Sequence, residues 1–142
     1  MNKRLFSIVA AGLMLAADDT KKEYDRFEGT WKFISVEQDG MKLPVQAIEG
    51  SRLICKGDIF TVTDPALTYK GTFKLDATKK PKTIDATFTE GPEKGTTMLG
   101  IYELEGDVYK VCFNVTGKDR PTEFAGKKGS GHVFQILRRD KK

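Results

Sequence analysis

The chain is poor in the residue types from which most metal sites and catalytic centres are built. Its 142 residues include one His, two Cys and one Trp. Zinc sites gather about four His, Cys or carboxylate ligands at short spacings, whereas Cys55, Cys112 and His132 are widely separated. Ser130 lies close to the histidine, but no G-x-S-x-G elbow surrounds it. The sequence therefore predicts no metal, no cofactor and no enzymatic activity.

A long hydrophobic run is also missing. The uncharged stretch at residues 5–17 is shorter than the roughly 20 apolar residues that a membrane helix needs. It follows Lys3 and Arg4 and ends at Ala17, before Asp18, which is the layout of a secretory signal peptide. A retained anchor helix is the alternative. We expect residues 1–17 to be cleaved, so that the protein is exported to the periplasm or beyond and has no membrane span.

Strong charge of one sign is absent from the remaining chain. The whole sequence has a formal net charge of +4, and two of the basic residues belong to the predicted signal peptide. Lysines alternate with acidic residues, and no basic face with interleaved aromatic residues indicates nucleic-acid binding. We expect a polar leader with at most a short helical turn at residues 18–26, one domain at 27–139, and a charged tail at 140–142. A monomer is favoured.

No long stretch carries the 3.6-residue period of an amphipathic helix; one helical turn is expected at residues 43–49. Instead, short segments rich in Thr, Val, Ile, Phe and Tyr recur between clusters of Gly, Pro, Asp and Lys, which is typical of strands joined by turns. Eight strands are predicted: Gly29–Glu37, Ser51–Lys56, Ile59–Thr63, Thr68–Leu75, Thr83–Thr89, Thr97–Leu104, Val108–Val115 and His132–Arg138.

Eight consecutive strands with mostly short links favour an all-β fold, a single antiparallel up-and-down barrel that leaves no open sheet edge. The eighth strand would then pair with the first, and the loop at residues 116–131 would cover one mouth or the side. Tyr109, Val111 and Phe113 fall on one face of the seventh strand. Trp31 and Phe33 fall on the opposite strand face from the apolar residues that follow them. This change of face predicts a bend or bulge near Phe33.

Gly29-Thr30-Trp31 resembles the G-x-W signature of lipocalin-type (calycin-type) barrels. The resemblance implies that Trp31 plugs one end of the barrel, with Gly29 beside it and Arg138 or Arg139 of the last strand over the indole ring. The chain is also similar to exported lipocalin-like domains of unknown function that are abundant in planctomycete bacteria. The stretches that carry this second resemblance include residues 29–32, 71–76, 80–85, 100–104, 110–113, 120–124 and 129–132. It implies a fold and an exported location, and no catalytic residues.

Arg120-Pro121-Thr122-Glu123-Phe124 is the stretch singled out for binding. One interpretation is a lid whose Arg120 faces the barrel cavity and meets a carboxylate or phosphate head group. The other is a loop held on the barrel by Phe124 and an Arg–Glu contact. We predict a binding module for a small apolar or amphipathic ligand, with Arg120, Tyr102, His132 and Glu123 as its polar contacts. The alternative is a structural or protein-interaction domain of the cell envelope with a filled barrel.

Cys55 and Cys112 each lie inside a predicted strand between apolar residues. In an oxidising compartment two cysteines allow one disulfide. Buried free thiols are the alternative, and the sequence leaves both open.

Overall fold

Each long strand of the sheet is hydrogen-bonded to the next long strand along the chain. The computed structural model describes residues 20–141, in which residues 20–27 form helix α1 and Val45–Ile48 form the short helix α2. The strands are β1 (Gly29–Gln38), β2 (Met41–Lys42), β3 (Arg52–Lys56), β4 (Ile59–Thr63), β5 (Thr68–Asp76), β6 (Lys82–Glu90), β7 (Thr97–Glu105), β8 (Val108–Asn114) and β9 (His132–Arg139). The predicted signal peptide lies outside the described residues.

The sheet closes on itself because β9 pairs with β1 in antiparallel register. The closed wall consists of β1 and β3 to β9, while β2 only extends β1 as a two-residue hairpin. The predicted eight-stranded antiparallel up-and-down barrel is therefore confirmed. The predicted helical turn between the first two long strands is confirmed as well, as α2.

The bulge predicted near Phe33 is present in β1. The pairing of β1 with β9 shifts register between Phe33 and Ser35. The extra residue, Ile34, is left 46% exposed, whereas Trp31 before the bulge and Val36 after it are both buried. A bulge therefore explains why apolar residues in this strand do not alternate evenly.

Helix α1 closes one end of the barrel. Phe27 at its end is 1% exposed, and its ring lies between 4.9 and 5.6 Å from the rings of Tyr109, Tyr102 and Phe73. Glu23, one turn earlier, is buried as well. At most a short helical turn was expected in this segment, and the structure has a helix over residues 20–27. Its buried face, spaced three to four residues apart, is too short to show as a helical period in the sequence.

Trp31 lies directly beneath α1, and Arg139 covers it. The indole Nε1 donates to the carbonyl oxygen of Phe27 at 2.9 Å, and the Arg139 guanidinium is 4.3 Å from the ring centroid. The same guanidinium donates to the carbonyl oxygens of Arg26 and Glu28. The Trp–Arg contact inferred from the lipocalin resemblance is thus present. It joins α1 to the first and last strands of the barrel.

Of the two predicted partners of Trp31, Arg138 is wrong and Arg139 is the one observed. Arg139 is the cross-strand partner of Trp31, whereas Arg138 pairs with Lys32. Alternate residues of a strand face opposite sides, so the inward orientation of Leu137 places Arg139 inside and Arg138 outside. Gly29 belongs to the same arrangement, because it has φ +121° and a Cβ there would lie 3.1 Å from an Arg139 nitrogen.

The opposite end of the barrel is only partly covered. Helix α2 folds over it, and Ile48 packs with Val36 and Val133. The loop at residues 115–131 lies against the outer wall instead: the rings of Phe124 and Phe134 are 6.0 Å apart, and the Cys112 thiol faces the Ala125 carbonyl at 3.5 Å. Of the two positions predicted for this loop, the side is the one observed.

We expect Trp31→Ala to lower the free energy of unfolding by about 3–5 kcal/mol, as for other large buried aromatic residues. Urea unfolding followed by circular dichroism measures it. Ile34→Ala is the control in the same strand, since that side chain is half exposed, and it should change little. A loss below about 1 kcal/mol for Trp31→Ala would show that this residue does not hold the closed end.

Candidate functional site

A cavity of about 310 Å³ lies inside the barrel, between α1 and the partly covered end. This volume is at the lower end of the range of about 300–1,000 Å³ that is typical of small-molecule sites. Its wall is almost entirely apolar and rich in aromatic rings. It is lined by Phe27, Phe33, Leu53, Cys55, Phe60, Val62, Tyr69, Phe73, Ile84, Ala86, Phe88, Glu93, Met98, Tyr109, Phe113 and Gln135. The described barrel is therefore not filled by its own side chains.

The cavity exists because several wall positions carry little side-chain volume. Ala86 faces inward on β6, and Gly71 and Gly100 occupy buried positions on the strands beside it. The two glycines do not add to the open space, since a Cβ would meet Phe60 in one case and Phe113 in the other at under 3.0 Å. The aromatic rings thus lean on bare backbone, which leaves the centre of the barrel open.

Two polar groups in the wall are unpaired. Gln135 lies on the inward face of β9, next to Val111 of β8, and Tyr109 faces inward two residues earlier in β8. Neither the Gln135 amide nor the Tyr109 hydroxyl has a hydrogen-bond partner within residues 20–141. Tyr109 is 3% exposed, and burial raises the pKa of its hydroxyl well above the usual value. Neither group is a fully buried atom, so both face the open space of the cavity and are available to a bound molecule.

The two cysteines do not form a disulfide. Cys55 faces the cavity from β3, whereas Cys112 is on the outer side of β8 beneath the loop. The barrel wall separates them, which decides between the two alternatives in favour of free thiols. Burial raises the pKa of the Cys55 thiol to about 12, so it stays protonated and unreactive at neutral pH.

A buried carboxylate lies behind the cavity, at the closed end. Glu23 of α1 accepts hydrogen bonds from the Tyr102 hydroxyl at 2.5 Å, from Lys82 at 3.1 Å and from Arg26 at 3.0 Å. Burial by itself would raise the pKa of Glu23, but the bonds from Tyr102 and the two cations outweigh it and hold the pKa below its ordinary value. Every charged group of this cluster has a partner, and the cluster holds α1 against the end of the barrel. We call Glu23 with Tyr102, Lys82 and Arg26 the Glu23 latch.

Arg120 does not reach the cavity. Its guanidinium lies on the outer wall, 2.8 Å from Asp85 and 2.9 Å from the Gly100 carbonyl oxygen. Pro121 is buried on the same outer wall and lines a depression there together with the outward-facing Ile101. The lid interpretation was therefore wrong, and the loop is held on the barrel by an Arg–Asp contact rather than the Arg–Glu contact expected.

The other predicted contacts are also dispersed. Tyr102 is buried at the closed end against Glu23 and does not line the cavity. His132 lies on the outward-facing side of β9, and Glu123 is a half-exposed loop residue paired with Lys127 at 2.7 Å. The structure does not bring Arg120, Tyr102, His132 and Glu123 together. The sequence predicted a shared face for the inward residues of β8, but Gln135 of β9 was missed because apolar residues on both faces mask the alternation of that strand.

A second depression of about 500 Å³ lies on the outer wall beside Arg120. Acidic and basic side chains are mixed along it, among them Lys74, Lys80 and Asp85. Since Asp85 already pairs with Arg120, this region is explained by the docking of the loop. The barrel cavity is therefore the stronger candidate site.

The chain is similar in structure to a DUF4847 family protein from Bacteroides vulgatus, whose crystal structure was determined at 1.00 Å. The two share 16% sequence identity, with a TM-score of 0.51, over 82% of this chain and 95% of that one. At this identity the likeness shows the fold alone. No protein-family model and no curated protein sequence matches the chain.

Within residues 20–141, neither helix has the length and apolar character required to cross a membrane. The same residues contain no group of three or more His, Cys, Asp or Glu side chains positioned to hold a metal ion.

Tyr102 and Tyr109 provide a matched test, because their rings are in contact and, among the described residues, only the Tyr102 hydroxyl is hydrogen-bonded. We expect Tyr102→Phe to lower the free energy of unfolding by about 1.5–3 kcal/mol, because it removes a buried hydrogen bond to a charged carboxylate. Tyr109→Phe should leave it unchanged or raise it slightly, because the hydroxyl that is lost has no partner. Urea unfolding measures both. Equal losses in the two variants would contradict the assignment of Tyr109 as unpaired.

Lowering the pH should reduce the contribution of Glu23 to the free energy of unfolding. Its pKa is lowered in the folded protein, so its contribution to stability is complete above the ordinary value of 4.5 and is lost as the pH falls through the folded-state pKa. The difference in unfolding free energy between wild type and Glu23→Gln should therefore be largest near neutral pH and shrink below pH 4.5. A difference that stays constant between pH 7 and pH 3 would exclude Glu23 from this role.

Proposed function

We propose that this protein is an exported, non-enzymatic binding protein that holds a small apolar molecule inside its barrel. The observation that carries the proposal is the cavity of about 310 Å³, with its apolar lining and two unpaired polar groups. Burial of a ligand there would remove apolar surface from water on both partners, which contributes about 25 cal/mol per Å². The export part of the proposal is supported by the signal-peptide pattern at residues 1–17 and by the resemblance to exported lipocalin-like domains.

The arrangement of the two ends supports a binding role. One end is closed by α1, Trp31 and the Glu23 latch, while the other is covered only in part by α2. A ligand would enter at the α2 end and stop against Phe27 and Tyr109. The filled-barrel alternative, an envelope structural domain, is disfavoured because the described interior is open.

The experiment is a titration with N-phenyl-1-naphthylamine, an uncharged fluorophore that brightens when it leaves water. We expect saturable binding by the wild type. Ala86→Phe places a ring in the cavity and should weaken binding by about tenfold or more, which corresponds to about 1.4 kcal/mol. Thr87→Phe, the next residue of β6, carries the same ring on the outer face and should bind as the wild type does.

Met98→Trp is the second filling variant, at a partly buried position of the cavity wall where a larger side chain is better tolerated. Its control is Thr97→Trp on the opposite face of β7. Circular dichroism and thermal unfolding establish that each variant is folded. Absence of probe binding by the folded wild type, or equal binding by the filling and control variants, would overturn the proposal. Native mass spectrometry of protein from its own host then gives the mass of any retained ligand.

A further inference from the structure

The charges around the cavity restrict what can bind there. No Lys, Arg or His side chain in the described chain lines it, and its one ionisable acid, Glu93, belongs to the turn between β6 and β7 and is exposed. A carboxylate or phosphate taken into this space would lose its hydration without gaining a cationic partner, which is strongly unfavourable. Glu93 would also repel it at the entrance. Anionic lipophiles such as fatty acids are therefore poor ligands.

A cationic ligand gains little from the same acid. Glu93 is exposed to water, and ion pairs at exposed sites contribute only about 0–1 kcal/mol. The charged end of an amine would have to remain at the entrance to meet it. The interior itself provides no ionised partner, because burial keeps the Cys55 thiol and the Tyr109 hydroxyl neutral.

The positions of the Tyr109 hydroxyl and the Gln135 amide indicate where a neutral ligand would carry its polar groups. Tyr109 packs against Phe27 and Trp31, so its hydroxyl belongs to the deep, closed end. Gln135 is nearer the entrance: it precedes Leu137, the cross-strand neighbour of Tyr109, by two residues along β9. Two residues of strand span about 7 Å, so the backbone positions of the two residues are offset by that distance along the strand direction. The Gln135 amide can donate and accept, and the Tyr109 hydroxyl can do both.

We propose, resting on the binding function above, that the ligand is an uncharged lipophile with two hydrogen-bonding groups, one at its buried end and one nearer the entrance. A hydroxyl or carbonyl at its buried end bonds to Tyr109, and a second one bonds to Gln135. The apolar remainder contacts the aromatic wall. Each group gains a hydrogen-bond partner that residues 20–141 do not provide, whereas a charge would lose its hydration, so the site selects for polarity at these two points and against charge.

The test is displacement of N-phenyl-1-naphthylamine near neutral pH by an eight-carbon series: octane, 1-octanol, octane-1,6-diol, octanoate and octylamine. We expect the alcohol and the diol to displace the probe, and octanoate to be at least about tenfold weaker than 1-octanol. Tyr109→Phe should weaken the alcohol by about 2- to 10-fold and leave octane unchanged. Gln135→Leu should weaken the diol more than the alcohol.

Thr61→Val is the control, since it removes a hydroxyl from the outer face of β4, whose inward residues are Phe60 and Val62. Octanoate or octylamine binding as tightly as 1-octanol would overturn the preference for a neutral ligand, while probe binding would leave the proposed function standing. Unchanged alcohol and diol affinities in both cavity variants would overturn the two-point recognition. Failure of the probe to bind the wild type would remove the proposed function and this inference together.

Discussion

The pairing of β1 with β9 is the constraint on which the rest of the structure depends. It joins the first strand of the barrel to the last, removes the open edges of the sheet, and sets the inward face of every strand between them. At this seam Trp31 and Arg139 are cross-strand partners, so a single ring–guanidinium contact lies where the wall closes. Arg139 also donates hydrogen bonds to backbone carbonyl oxygens at the end of α1. The same side chain therefore stabilises both the pairing of β1 with β9 and the position of α1 over the end of the barrel.

The two ends of the barrel differ in what their polar groups do. At the closed end the buried Glu23 carboxylate is held by Tyr102, Lys82 and Arg26. Inside the cavity, the Tyr109 hydroxyl and the Gln135 amide have no hydrogen-bond partner among residues 20–141 and face the open space. This contrast within one barrel separates a structural tyrosine from a candidate binding tyrosine, although both face inward and their rings are 6.4 Å apart.

Much of the fold could be predicted because strand signals are local. Turn residues mark the ends of the strands, and the alternation in β8 identifies Tyr109, Val111 and Phe113 as inward. The failure at the last strand also had a local cause: apolar residues on both faces of β9 concealed its register, so Arg138 could not be distinguished from Arg139, and Gln135 was missed. The predicted binding residues failed for a different reason. Arg120 lies in a loop, and no period relates a loop residue to either face of a distant sheet.

By itself, the sequence determined the strands, their order and the antiparallel barrel, because hydrophobic alternation and turn chemistry act over a few residues. It also determined that Trp31 would be central, as the only residue of its kind at the head of the first strand. Only the tertiary structure decided that residues 20–27 close the barrel, that Cys55 and Cys112 are kept apart, and that a cavity remains. Those features depend on how far each aromatic ring extends into the barrel and on which side chains it contacts there. The order of residues along the chain gives neither these distances nor these contacts.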